Sequence, residues 1–292
     1  MNLFDQLVAQ ALRGQTELVP LQGVVEKELL HHDILREMSA AGLLEQLTFM
    51  GGTCLRTCYG SLRLSEDLDF TGGRDFTREQ LRDLGATLVE KFSQKYGLLV
   101  EVSEPTREAG NVPTWKLRID RWPEQKGLPA QRINIDICAV PSHDRRPLML
   151  RNYYGIDMGT AGLIIQAQSR EEILADKLVA LALRPNRVKN RDLWDIGWLK
   201  QQGVVMPVAL LSAKLADHRR THQEFLALLQ ERRRQLRDEP GMREQFVQEM
   251  RRFLPGGMVA QTVAKQDYWS YLSNLIDDEC AQAAAFLAGV ML

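Results

Sequence analysis

The sequence has little cysteine, no long apolar run and no excess of charge of either sign. Four cysteines in 292 residues are too few for a disulfide scaffold, and a chain of this length buries a core without covalent staples. Cys54 and Cys58 stand four apart in an expected helix, with nothing at metal-ligand spacing beside them. They, Cys138 and Cys280 are expected as buried free thiols. No apolar run approaches the roughly 20 residues of a membrane span. The opening stretch MNLFDQLVAQALRGQ lacks the basic flank and apolar core of a signal peptide. A cytoplasmic protein without a membrane partner is therefore expected. The net charge of −1 excludes a wholly basic nucleic-acid binder and leaves a local basic patch as the remaining route to such a partner. Neither an internal repeat nor a low-complexity tract is present. What is there, 45% hydrophobic and 26% charged residues, is the composition of a soluble globular enzyme of one or two domains.

Residues 2–46 have helical periodicity, with a turn expected near Pro20. His31 and His32 sit together in this arm. A metal pair is the sharp reading and a solvated helix face the plainer one. LTFM then runs into Gly51-Gly52, a strand-to-turn signal. TCLRTCY gives one or two helical turns closed by Gly60, and Leu68-Asp69-Phe70 is a strand. A helix is expected over 77–96, capped by Thr77 with Gln80 three residues on. Strands follow near 98–104, 115–120 and 132–140, the last two with alternating apolar residues. Ser169 and Glu172 form a capping-box signature for a helix to about Arg184. The basic stretch RPNRVKNR leads to a helix near Asp192, and helices fill 207–253 and 258–289. The order predicts an α+β fold: residues 1–165 as a mixed sheet with helices and an N-terminal helical arm, residues 166–292 as a mostly helical domain.

In a strand, residues i and i+2 share a face. Asp67-Leu68-Asp69-Phe70 therefore aims two carboxylates one way and two apolar side chains the other. Asp136 lies on the face opposite Ile133, Ile135 and Ile137. If the two strands are neighbours, three carboxylates meet, and their mutual repulsion is relieved by a divalent cation. Magnesium fits best, since it takes one or two carboxylates plus substrate phosphates. An isolated Asp-x-Asp is more often a solvated turn. Here Gly51 and Gly52 precede it at a strand end, where bare backbone N–H groups can approach a triphosphate. The helix opening at Thr53 adds its partial positive charge. Arg63 and Ser65, between glycines and acids, offer a phosphate fork and a hydroxyl.

The run GGTCLRTCYGSLRLSEDLDF resembles the first motif of the AbiEii/AbiGii toxin nucleotidyltransferases, within the polymerase-β-like superfamily. INIDI resembles the second motif, with Asp136. EEILADKL resembles the third, with Lys177, and RVKNRDLWDI the fourth, with Arg191, Asp192 and Asp195. The resemblance spans roughly residues 47–200. It implies a metal-dependent nucleotidyltransferase toxin that moves NMP from an NTP onto RNA, the tRNA 3′ end being the implied acceptor, with a separately encoded antitoxin. Two Mg²⁺ ions on Asp67, Asp69 and Asp136 are implied, Mn²⁺ being the other candidate. Gly51, Gly52, Thr53, Arg63, Ser65 and Lys177 would hold the nucleotide, and Asp192 or Asp195 would be the fourth-motif acid.

Lys177 has support of its own. It falls within the stripe of Ile173, Leu174, Leu178 and Leu181, where a lysine either reaches for water or meets a buried anion. Asp192 and Asp195 share a helix face. Trp194 and Trp198 read as core. Residues 184–252 carry 15 Lys or Arg against 9 Asp or Glu, which describes either a solvated bundle or a groove for an RNA backbone. Two rival functions stay open: nucleotide transfer to a small molecule such as an antibiotic, and nucleotide binding without turnover.

Overall fold

A computed structural model describes residues 2–105, 112–121, 130–185 and 187–289. The chain divides into two compact units, Met1–Gln168 and Ser169–Leu292. The first is α+β and the second helical, as the element order predicts.

The first unit opens with helix α1 (Leu3–Leu12), a 3₁₀ turn over Thr16–Leu21 and helix α2 (Gln22–Ala40). Pro20 lies within the 3₁₀ turn. Strand β1 (Thr48–Met50) leads into α3 (Gly51–Cys54), which continues as a π-helical turn over Leu55–Tyr59. Gly60 ends it with φ +93°, a left-handed conformation that glycine adopts without steric cost. Strand β2 (Leu68–Thr71), helix α4 (Leu84–Tyr96) and strands β3 (Leu99–Ser103), β4 (Thr114–Asp120), β5 (Gln131–Cys138), β6 (Arg145–Met149) and β7 (Ile164–Gln168) complete the unit. The seven strands form one mixed sheet, in the order β3-β4-β5-β2-β1-β7-β6.

Alternation fixes the sheet's register. Trp115, Leu117, Ile119, Ile133, Ile135 and Ile137 are buried on one face, as are Leu68 and Phe70. Each such side chain contributes about 1.5–3 kcal/mol by leaving water. A slip of one residue would expose them and bury the polar row, so the register is strongly held. The helix expected over 77–96 is in fact two pieces, a 3₁₀ turn at Arg78–Leu81 and α4. Gln80 Oε1 still accepts from Thr77 N at 3.0 Å. Strands β6 and β7 escape the sequence pattern. β6 carries two arginines and Pro147 at the edge of the sheet, where a missing N–H and charged side chains are tolerated.

The second unit contains α5 (Arg170–Leu183), α6 (Asn190–Gln201), α7 (Val208–Asp217), α8 (His222–Asp238), α9 (Met242–Met250), α10 (Gly256–Gln261) and α11 (Gln266–Leu287). Ser169 caps α5, its hydroxyl accepting from Glu172 N at 3.0 Å. The Glu172 side chain forms an ion pair with Lys214 at 2.6 Å, a buried partner stronger than the exposed backbone donor of a capping box. No helix among the described residues is long and apolar enough to cross a membrane. Cys54, Cys58 and Cys280 are buried free thiols, while Cys138 is half-exposed.

The histidine pair corrects the expectation of a solvated face. α2 is buried on most sides, and His31 and His32 are 0% and 2% exposed. Nε2 of His31 meets the Glu66 carbonyl at 3.0 Å, and Nδ1 of His32 meets Thr160 Oγ1 at 2.9 Å. Desolvation lowers His31 to about 3 and His32 to about 4. Both are neutral in the fold, whereas the unfolded chain takes up protons below about pH 6.5. Stability is therefore full above that pH and is lost as pH falls toward 4 and 3, by about 3–4 kcal/mol between pH 7 and 5. Urea unfolding at those two pH values checks this. A double replacement, His31→Gln with His32→Gln, should flatten the dependence.

Candidate active site

Three strands set the site. Asp69 on β2 lies opposite Met50 on β1 and opposite Asp136 on the parallel strand β5. Thr114 on β4 faces Asp136 from the other side. Residues paired across strands share a face, so Asp69, Asp136 and Thr114 make one row on the side of the sheet away from its isoleucines. All three are half-buried. Thr114 Oγ1 donates to Asp136 Oδ1 at 2.5 Å. Asp67 stands one residue before β2, and its Oδ1 accepts from Asn134 N at 3.0 Å.

The row matches the expected neighbouring of the two acidic strands. Among the described residues, no group of three or more His, Cys, Asp or Glu gathers as a metal cluster. Asp69 and Asp136 come together by register, and Asp67 is held on the backbone of β5. Two carboxylates beside a polar strand surface fit the donor set of magnesium, which is hard oxygen with the remaining positions left to water and phosphates.

The glycine turn underlies the row. Gly51 has φ +76°, and a Cβ there would stand 2.5 Å from Asp69 Oδ2. The Asp69 carboxylate thus rests directly on the glycine backbone. A Cβ on Gly52 would collide with the Arg63 guanidinium. Arg63 is 2% exposed and donates to the Leu64 carbonyl at 3.1 Å. It braces the segment behind Gly52. Thr53 Oγ1 lies 2.8 Å from Ser65 Oγ and also against the Asp67 carbonyl, tying the start of α3 to the approach to β2. Burial, then the Cys58 thiol and the Asp69 charge, push the Cys54 thiol well above its ordinary range, so it is inert as a nucleophile.

A second layer of residues lies behind the 61–65 segment, outside the motifs of the sequence. Glu28, 3% exposed on α2, accepts from Ser65 N at 3.0 Å through Oε1. Its Oε2 accepts from Arg56 Nε at 3.2 Å and Tyr154 Oη at 2.5 Å. Arg56 in turn donates to the Ser61 carbonyl at 3.1 Å. One buried carboxylate thus holds both ends of the 61–65 segment. A signal existed: Val25, Glu28, Leu29 and His32 recur at helical spacing, placing an acid and a histidine on a buried stripe. Thr114 gave no comparable signal.

The other expected residues lie in the second unit, on α5 and α6. Lys177, 9% exposed, meets the anions its position calls for: Asp192 Oδ1 at 2.5 Å and Asp195 Oδ2 at 2.8 Å. Arg184 donates to Asp192 Oδ2 at 2.8 Å. Burial alone would raise the Asp192 carboxyl, but Lys177, then Lys189 and Arg184, hold it well below the usual carboxylate range. Both acids are bound to the lysine, so geometry favours neither as the motif acid. Arg191 pairs with Glu249 at 3.3 Å and stacks on Phe253. Trp194 and Trp198 are core, each 6% exposed. Many arginines of the basic stretch are likewise engaged within the unit: Arg232 with the Arg184 carbonyl, Arg233 with Asp277 and Arg234 with Glu231.

Among solved structures, MenT4, a nucleotidyltransferase toxin from Mycobacterium tuberculosis H37Rv, aligns over 94% of this chain and 98% of its own, with 17% identity and a TM-score of 0.54. JHP933 from Helicobacter pylori aligns over 92% of this chain and 97% of its own, with 15% identity and a TM-score of 0.49. At such identity the likeness to MenT4 is one of fold. No match to this chain is found among the curated proteins. The family model for the nucleotidyl transferase AbiEii toxin of type IV toxin–antitoxin systems matches residues 33–274, covering the acid row, Lys177 and most of the helical unit. With most of its length matched, this chain belongs to the AbiEii family: it is a nucleotidyltransferase toxin of a type IV toxin–antitoxin system.

Proposed function

We propose that the protein transfers NMP from an NTP to the terminal hydroxyl of an RNA, the tRNA 3′ end being the acceptor. The observation that carries this reading is the register of Asp69 against Asp136, with the Gly51 backbone directly beneath Asp69. The two acids stand side by side, and the bare glycine backbone lets the Asp69 carboxylate and the Arg63 guanidinium approach as no larger residue would allow.

Asp69 and Asp136 are the residues that would hold Mg²⁺, and Asp67, held on the Asn134 N–H, is the third acid that the family resemblance names. When bound, the ion would supply Lewis-acid stabilisation of charge on the phosphates. The backbone at Gly51, Gly52 and Thr53 cradles the triphosphate, and Ser65 offers its hydroxyl. Asp136 takes the proton of the acceptor hydroxyl. The hydroxyl oxygen then bonds to the α-phosphorus, the bond from that phosphorus to the bridging oxygen breaks, and pyrophosphate leaves with the electron pair. Arg63 acts from behind Gly52 to keep the turn in place. By family resemblance, Lys177 is assigned to the third motif and Asp192 to the fourth. A separately encoded antitoxin is the partner the family implies.

The test is to incubate the protein with Mg²⁺, each α-labelled NTP in turn and total cellular RNA, beside an Asp67→Ala/Asp69→Ala control. Label on tRNA, from one preferred nucleotide and absent in the control, is the expected result. Label on a small molecule, or nucleotide binding with no pyrophosphate release, would reject the RNA acceptor.

A further inference from the structure

The solvent-facing side of strands β3, β4 and β5 continues the acid row outward. Registers give its map. Next to the row of Asp69, Asp136 and Thr114 comes a row of Asn134, Lys116 and Ser103, and next to that a row of Arg132, Arg118 and Glu101. Successive rows are about 6.6–6.8 Å apart along the strands. Lys116, Arg118, Arg132, Glu101 and Ser103 are all exposed. The charge of Arg118 is shared with Glu101 at 3.1 Å and Asp120 at 3.6 Å. Lys116 and Arg132 form no ion pair among the described residues. Two uncommitted cations therefore stand in consecutive rows leading away from the acids.

We infer that this face is a track for the single-stranded 3′ end of the acceptor RNA, with Lys116 and Arg132 on its first phosphates upstream of the reacting hydroxyl. The inference rests on the proposed reaction and deepens it. A polyanion ending in a hydroxyl has the complementary order: phosphates over the two cations, the neutral end over Asp69 and Asp136. An acidic peptide has no such end to place beside the carboxylates. Among the described residues of these three strands, no aromatic side chain faces the track. Base stacking, the usual source of binding energy beyond the phosphates, is therefore absent there, and the track is indifferent to base identity. The arginines of the helical unit are weaker candidates, because many are engaged by carboxylates or carbonyls of their own unit.

The experiment is fluorescence anisotropy of a labelled, short single-stranded oligoribonucleotide titrated with the full chain over a series of salt concentrations. Lys116→Glu/Arg132→Glu is compared with wild type, and Lys116→Gln/Arg132→Gln serves as a milder variant. Arg145→Glu/Arg146→Glu, on the opposite edge of the sheet, changes the net charge equally. The charge reversal on the track should raise Kd about tenfold or more at low salt, and the slope of log Kd against log salt should drop by about 1.4, or ~0.7 for each lost phosphate contact. Oligo(A) and oligo(U) should behave alike. An unchanged Kd and slope would overturn the inference, as would an equal loss in the β6 variant or tighter binding of an acidic peptide. Labelling of RNA with no effect of the track variants rejects the track and leaves the reaction standing. An effect of the variants on binding, with no RNA ever labelled, rejects the reaction and leaves the track.

Discussion

Replacing Asp136 by Asn lowers nucleotide transfer by about 10³-fold or more, the equivalent of roughly 4 kcal/mol of transition-state stabilisation, without loosening the fold. The substitution keeps the shape and an oxygen that can still accept from Thr114 Oγ1, so the strand contact at 2.5 Å survives. It removes the negative charge and the proton acceptor. Asp69→Asn acts through the same loss of charge in the same row and should cost as much. Thr114→Val takes away the hydroxyl that orients Asp136 and leaves the carboxylate in place, so a fall of about tenfold is expected, near the ~1.4 kcal/mol of one hydrogen bond to a charged group. Rates of pyrophosphate release for the three variants, with far-ultraviolet circular dichroism to establish folding, test the assignment. Asp136→Asn with more than a tenth of wild-type activity would remove this residue from the chemistry.

Lys214→Ala should destabilise the helical unit by about 3–5 kcal/mol, the usual cost of stranding buried charge. Lys214 on α7 is fully buried, 2.6 Å from Glu172 and 3.1 Å from Asp176 on α5. Burial pulls the ammonium down, and Asp176 and Glu172 more than reverse this, so Lys214 lies above its ordinary value. Without the lysine, two carboxylates face each other in the core. Their pKa values rise above those of the unfolded chain, so the loss is smallest at low pH and grows as pH rises through the unfolded and then the folded values. Urea unfolding of the variant at pH 5 and pH 8 checks both size and sign. Replacing Glu172 and Asp176 by Leu together with Lys214→Met should recover most of the loss, since an apolar set of similar volume needs no partners. A Lys214→Ala protein as stable as wild type would mean that water reaches the trio.

Periodicity made the centre of the fold legible. Ile133, Ile135 and Ile137 announce both strand β5 and the face on which Asp136 must stand, and Asp67-Leu68-Asp69-Phe70 does the same for β2. What periodicity cannot carry is the pairing of distant strands. That Asp69 lies opposite Asp136 follows from the register of two strands far apart in sequence, and Thr114 joins them by the same long-range pairing. β6 is not legible because an edge strand with Arg145, Arg146 and Pro147 needs no β-forming pattern. The burial of His31, His32 and Glu28 is not legible in the sequence for a related reason. Their helix is surrounded by the first unit, and residue type predicts exposure only when a helix has an outer face. Lys177 stood out because a lysine inside an apolar stripe either reaches for water or meets an anion, and the structure shows an anion. The identity of that anion, Asp192 and Asp195 together, required the structure.

The order of the sheet also sets when the acid row can form during synthesis of the chain. β1 and β2 can form a hairpin early, but β5 must pair with β2 before the two acids stand side by side, and β1 gains its other neighbour only with β7. Contacts between distant segments form late, because loop closure must precede them. A nascent chain at roughly 5–20 residues per second therefore emerges with its acids apart, and truncated products ending before β5 have no acid row at all. The pairing of Asp69 with Asp136 is thus a property of the folded sheet and not of either strand alone.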